Sequence, residues 1–277
     1  MYLYSQFISD TYLSTYLFSL GLVFYFFVFI CGLILGSFLN SWIWRTRDNV
    51  RFISGRSQCV WCGRKLTWWE NVPLVSFLAL KGRCRTCRKP IPRHYLAVEL
   101  CSALLLSLVA WQYVRLPLFN AWELWRDVFF LTILIVIFVY DSLYHLILSR
   151  LIWSGVVIGG LINYLFLRFT LGDMALGALL AGGFFLFQFL LSRGRWIGGG
   201  DVRFGIMMGV WLGWKSTLVA LFVSYVLGAV VALVLLATKR RGWGSEIPFG
   251  AFLSIGTFLA LYYGEAAIAW YINLISW

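Results

Sequence analysis

The chain has 277 residues, 61% hydrophobic and 19% aromatic, with a mean hydropathy of +0.84. Charged residues make up only 12%, about half the usual share of a soluble domain, which excludes an ordinary soluble globule and a disordered chain. The composition is that of an all-α polytopic membrane protein, yet 23 Lys+Arg stand against 11 Asp+Glu, a formal net charge of +12.

Apolar run lengths predict about eight transmembrane helices, at 19–44, 95–114, 121–140, 151–169, 174–192, 202–214, 216–238 and 249–264. The first 44 residues carry one charge, Asp10. No charged segment precedes the first run, so it reads as a retained helix rather than a cleaved signal. Twelve basic residues then follow between Arg45 and Arg93, opposed only by Asp48 and Glu70, so this block holds +10 of the total charge. A basic patch of that size suits nucleic acid. Between apolar runs it is better read as a cytoplasmic loop beside anionic lipid, with no nucleic acid. Placing the block in the cytoplasm puts Arg150, Arg193, Arg195, Arg203, Lys239, Arg240 and Arg241 there too. That makes nineteen of the 23 basic residues, leaving Arg115, Arg126, Arg168 and Lys215 outside. The positive-inside rule is met and both termini face outward.

Six cysteines divide into two classes. Cys31 and Cys101 lie alone in apolar spans and read as packing. Cys59-Val60-Trp61-Cys62 and Cys84-Arg85-Thr86-Cys87 are two CxxC knuckles with 21 residues between them. That spacing suits a structural zinc site, each knuckle supplying two thiolates from a tight turn. Lys65, Arg85 and Arg88 are expected to favour the thiolates. Disulfides are disfavoured in a reducing compartment, and a nucleic-acid zinc ribbon is the formal alternative. The expected domains are a first transmembrane helix over 1–44, a zinc-binding cytoplasmic cap over 45–94, and a seven-helix domain over 95–277.

Charges inside a bilayer are costly and by default functional. Asp141 ends the third span, and Asp201 opens the sixth after Gly198-Gly199-Gly200. In the drafted topology both lie at the cytoplasmic ends of their helices, where packed helices could bring the carboxylates together. Such a pair shares a proton, one acting as base on water and the other as acid on a scissile carbonyl. The glycines would permit unusual dihedrals and close approach of an extended peptide. The bland reading makes Asp201 an N-cap beside a flexible loop. Glu99, one turn into the second span, reads as a third functional acid or a tie to the basic loop. His94 and His145 lack metal-ligand spacing and read as interfacial. Asp173 reads as a helix cap.

Together these residues resemble the bacterial prepilin peptidases, the type IV leader peptidases. The resemblance covers most of the chain. It runs through Gly32-Leu33-Ile34-Leu35-Gly36-Ser37-Phe38-Leu39-Asn40, the cysteine block with Glu70-Asn71-Val72-Pro73-Leu74, and Arg93-His94-Tyr95-Leu96-Ala97-Val98-Glu99. It continues at Gly198-Gly199-Gly200-Asp201, like the family's GxGD motif, and at Ile247-Pro248-Phe249-Gly250. One departure is visible. The family commonly shows Leu-Pro-Asp after its first catalytic aspartate, whereas Leu148 and Ser149 occupy the last two positions here.

The resemblance implies an eight-helix GxGD aspartyl protease of the inner membrane with Asp141 and Asp201 catalytic. It implies cleavage of prepilin or pseudopilin leaders at the cytoplasmic face, followed by N-methylation with S-adenosylmethionine. The glycine loop Gly198–Gly200 and the Pro248-Phe249-Gly250 turn are expected to line the path of the extended substrate. No Rossmann glycine fingerprint marks the methyl-donor site, and Glu70 and Asn71 are its candidates. Rival readings are a transporter with a zinc cap, or an inactive scaffold for pilus or secretion assembly.

Overall fold

The computed structural model describes residues 2–48, 56–114, 120–167, 169–238 and 247–276, with side chains from residue 21 onward. Arg51, Arg115, Arg168, Lys239, Arg240, Arg241 and Trp277 lie outside the described residues. Among the described residues the structure is helical with no β-strand, only two isolated bridges. Seven helices are long and apolar enough to cross a membrane. The chain divides into two units, 1–119 and 120–277.

In the first unit, α1 (Tyr2–Arg47) packs on α3 (Arg93–Val114). The approach is close because Gly32 and Gly36 lie one turn apart on α1. A Cβ on Gly36 would stand 2.6 Å from the Glu99 Cα, and one on Gly32 would strike the backbone of Ala103. Small residues four apart are how helices bring backbones together in lipid. Between these helices the cap holds a 3₁₀ turn (Trp68–Asn71) and the short α2 (Val75–Ala79).

The two knuckles are one fold repeated 25 residues apart. Cys59 N–H donates to Arg64 O and Cys84 N–H to Lys89 O, both at 2.9 Å. Gly63 N–H closes on Cys59 O and Arg88 N–H on Cys84 O. Bridges Gln58–Lys65 and Arg83–Pro90 flank them. The fifth residue takes a left-handed φ in each, 67° at Gly63 and 56° at Arg88. The second knuckle therefore carries an arginine where the backbone favours glycine.

The second unit contains α4 (Ala121–Tyr144), α5 (Ser149–Phe166), α6 (Leu171–Ser192), α7 (Gly199–Ala237) and α8 (Phe249–Ile275). Helix α4 carries Phe130, Leu131, Ile133, Leu134, Val136 and Ile137, all buried. Asn120 caps its start by accepting from Trp122 N–H at 3.0 Å. At the start of α6 the cap is Thr170, not Asp173. Thr170 Oγ1 accepts from Asp173 N–H, and Asp173 answers as the third helical residue.

Helix α7 has one residue outside helical geometry, Gly213 at φ 67° and ψ 175°. The chain reverses there. On the first arm, a Cβ on Gly205 would meet Phe185 and Ala181 of α6, and one on Gly177 would meet Gly209 and Gly213. On the second arm, Tyr225 returns to the same Phe185 and hydrogen-bonds Gln188. Both arms therefore run from Gly213 toward the same end of α6, and α7 supplies two of the eight expected spans. Asn163, fully buried on α5, donates to Val210 O at 2.9 Å and Trp211 O at 3.2 Å. These are carbonyls that the break deprives of intrahelical partners. Trp211 stacks on Phe130 with centroids 3.6 Å apart and donates to Gly155 O.

Candidate active sites

Asp201 is the third residue of α7. Its Oδ2 accepts from Gly198 N–H at 3.0 Å, while its own N–H donates to Gly198 O at 3.1 Å. The N-cap is therefore Gly198, not Asp201, whose carboxylate reaches back to it from the third helical position. Asp141 lies in the last turn of α4, its Oδ2 accepting from Ala251 N–H at 3.0 Å. Gly250 also donates to it. The two carboxylates are 5% and 8% exposed and lie within Coulombic reach of one another. Among the described residues no ion pair neutralises either.

Among the glycines around them, Gly200 and Gly250 are needed for lacking a side chain rather than for unusual dihedrals. Gly198 is extended at φ −79°, and none of Gly198, Gly199 and Gly200 has a positive φ. A Cβ on Gly250 would sit 2.9 Å from Asp141 Oδ2, and one on Gly200 would sit 2.9 Å from the Ile147 Cβ. Pro248 is the N-cap of α8 and Phe249 its first residue.

Sequence reasoning missed three neighbours. Ile147 would meet a Cβ on either Gly200 or Gly250, so it packs between the two glycine segments. Tyr225, within Coulombic reach of Asp201, stacks edge-on against Phe249 at 5.0 Å. Arg203 donates to Ser149 Oγ at the start of α5, where Leu148 is an N-cap without side-chain bonding. His145 ends α4 in the left-handed region, its N–H on Asp141 O. The contacts of Ile147, Tyr225 and Arg203 leave no local pattern in sequence.

The four cap cysteines come together. Their Sγ atoms lie within 4.8 Å of one another, with Cys59 and Cys87 at 3.9 Å. Tetrahedral coordination at about 2.3 Å per Zn–S bond demands sulfurs about 3.8 Å apart, so the donor set fits a four-thiolate ion. At Cys84 and Cys59 the leading influences are backbone amides and burial rather than the expected cations. The amide N–H groups of Cys87, then Thr86, bring the Cys84 thiol down to about 6, while burial pushes Cys59 up to about 11. Arg64 is the guanidinium that reaches a sulfur, at Cys84. Arg85 and Lys89 instead lie over the rings of Trp69 and Trp61.

Arg64 also forks onto Glu70 at 2.6 and 3.1 Å, and Thr67 donates its N–H and hydroxyl to the same carboxylate. The Arg64 guanidinium holds the Glu70 carboxyl down at about 2. Beside it opens a cleft of about 1040 Å³, mouth included, whose walls carry Glu70, Asn71, Ser37, Asn40, Tyr95 and Glu99. Glu99 reaches the loop by accepting from Leu74 N–H at 2.9 Å, not by pairing with a basic side chain. His94 stacks edge-on with Tyr95. Cys31 is half-buried and Cys101 exposed, so the packing expected of Cys101 is not seen.

Comparison with known proteins agrees with the two-unit division. Residues 30–113 match the model of the bacterial peptidase A24 N-terminal domain, and residues 128–233 match that of the type IV leader peptidase family. A prepilin leader peptidase/N-methyltransferase of Bacillus subtilis is 30% identical over 89% of this chain and 97% of its own length. Proteins of the same name from Aeromonas hydrophila and Myxococcus xanthus are 31% and 35% identical, over 89% and 82% of this chain and 93% and 68% of their own lengths. No solved structure matches the chain. The chain therefore belongs to the type IV leader peptidase family.

Proposed function

We propose that this chain cleaves the leader of prepilins or pseudopilins and then N-methylates the new terminus, as the names of its relatives indicate for them. The observation that carries the reading is the pair Asp141 and Asp201. Both are buried, in no ion pair among the described residues, electrostatically coupled, and fixed by backbone amides from the starts of α8 and α7. Two close carboxylates share one proton. The ionised member takes a proton from water as that water attacks the scissile carbonyl, and the protonated member donates to the carbonyl oxygen. The proton taken from water then goes to the leaving amine as the C–N bond breaks. The substrate must be extended at the cut, because a helix hides its carbonyls in hydrogen bonds. Gly198–Gly200 and the Pro248-Phe249-Gly250 turn offer that strand two surfaces without side-chain bulk.

In this reading the membrane is the bacterial inner membrane. The cap and the aspartates face the cytoplasm, and the cap's positive charge holds it to anionic lipid. Zinc on Cys59, Cys62, Cys84 and Cys87 clips a loop too small to fold on its own core. The cleft beside it takes S-adenosylmethionine, which supplies the methyl group. Asn71 is free on its wall to bond the donor, and Glu70 sets the position of Arg64. The test is cleavage of a prepilin by the purified membrane protein. Asp141→Asn and Asp201→Asn are each expected to abolish conversion without loss of thermal stability. Conversion persisting in both variants would sink the aspartate pair.

A further inference from the structure

We propose that Glu99 seats and deprotonates the acceptor amine in methyl transfer, a proposal that rests on the donor cleft assigned above. Two carboxylates line that cleft, and they differ. Glu70 is neutralised by the Arg64 fork and holds two bonds from Thr67. Glu99 is 9% exposed, yet its partners are neutral, the Leu74 N–H and the Ser37 hydroxyl. Among the described residues Glu99 makes no ion pair. An unpaired carboxylate withdrawn from water is costly, and a cationic guest relieves that cost. The fold goes to some length to place it. Gly36 lets α1 ride against the Glu99 Cα, which brings Ser37 within reach of the carboxylate. The Leu74 N–H that meets Glu99 belongs to a γ-turn closed by Val75 N–H on Pro73 O, with Leu74 at φ 61° and ψ −51°. That backbone region is strained for a leucine.

Two cations enter such a reaction, the sulfonium donor and the primary ammonium acceptor. A carboxylate against the sulfonium would stabilise a charge that is lost on the way to the transition state, and so would slow transfer. Against the ammonium it serves the chemistry. Glu99 accepts a proton from R–NH3+, leaving R–NH2. The nitrogen lone pair then attacks the methyl carbon, and the C–S electrons return to sulfur as a neutral thioether. The product is R–NH2CH3+, and Glu99 releases its proton to solvent.

The full metal-loaded chain, without donor, is titrated with a short apolar peptide bearing a free N-terminal amine and with its N-acetylated twin. The reporter is the fluorescence of Trp44 and Trp61, which line the cleft. The wild type should prefer the free amine by about tenfold or more, the scale of a charge-assisted hydrogen bond. Glu99→Gln keeps an oxygen for Leu74 N–H and should erase the preference. Glu265→Gln, exposed on α8, should retain it. With donor added, Glu99→Gln should flatten the acid limb of the methylation pH profile, which a merely structural Glu99 would leave unchanged. Lack of amine preference in the wild type, or its survival in Glu99→Gln, overturns the proposal alone. Failure of the wild type to bind an S-adenosyl donor overturns the cleft assignment and the proposal with it.

Discussion

Gly250→Ala tests the proposed chemistry without touching a carboxylate. The new methyl would stand 2.9 Å from Asp141 Oδ2, 3.1 Å from its Cγ and 2.9 Å from Ile147 Cδ1, well inside the optimum of about 3.5–4.0 Å for carbon contacts. The clash falls on side-chain ends, so the helices need not part. Over-packing of this kind typically costs about 1–3 kcal/mol, and movable neighbours should place this case at the low end. What gives is the carboxylate, which loses the Ala251 N–H at 3.0 Å. A hydrogen bond to a charged group contributes about 1.5–3 kcal/mol, and a misplacement of about 1 Å at a reacting group costs about 100-fold in rate. The expected result is a kcat for prepilin cleavage lower by about two orders of magnitude with KM little changed. Gly199→Ala is the contrast. Its methyl enters open space, with Phe189 the nearest atom at 4.0 Å. If the glycine loop lines the substrate path, this variant raises KM and spares kcat. Single-turnover cleavage in detergent separates the two terms. A Gly250→Ala enzyme with wild-type kcat, or a Gly199→Ala enzyme with the greater loss of kcat, would refute the assignment.

Metal analysis of the reduced protein should give about one zinc per chain, and Cys84→Ser should lower that content and leave the cap open to proteolysis. Zinc-free wild-type protein would count against the site. Arg88→Gly relieves the left-handed residue of the second knuckle and should stabilise the cap by about 0.5–1 kcal/mol, read as slower zinc loss to a chelator. Gly209→Ala drives a methyl into the backbone of Gly177 and Ala178, where no side chain can swing away, and should cost about 3 kcal/mol. A fall in Tm smaller than that caused by Gly250→Ala would contradict the α6–α7 contact.

The spans and the charged block were legible because each is a property of composition over a dozen residues or more. Apolar run lengths put the junction between the sixth and seventh spans at Lys215, whereas the reversal is at Gly213. A single residue in unusual geometry leaves no loop composition to read. The knuckles were legible from spacing, but not the role of Arg64, whose partner Glu70 stands six residues on along an irregular loop. Glu99 stands out in the sequence as a charge within a span. Its tie to Leu74 depends on a backbone turn that Pro73 only hints at. The glycines before Asp201 suggest unusual dihedrals and room for a peptide, but none has a positive φ, and Gly200 leaves room for Ile147, a contact the sequence does not announce.

The depth of the aspartate pair follows from three rulers that meet at the Gly213 corner. Asp201 on the outgoing arm and Tyr225 on the returning arm each lie twelve residues from Gly213, about 18 Å along a helix. Phe130 stacks on Trp211 beside that corner, and Asp141 lies eleven residues further along α4, about 16 Å away. Gly264 meets Ser216 near the same corner, and Ala251, which holds Asp141, precedes Gly264 by thirteen residues, about 20 Å. The rulers agree, so the pair occupies one level, whereas the second arm runs twelve residues past Tyr225 to Ala237, about 18 Å further. A hydrocarbon core is about 30 Å thick, so a corner at one face leaves the carboxylates below the opposite face rather than on it. In the proposed reaction, water and an unwound substrate strand would both have to descend to them. The segments bordering the pair, Gly198–Gly200 and Pro248–Gly250, are those with the least side-chain bulk to bar the way.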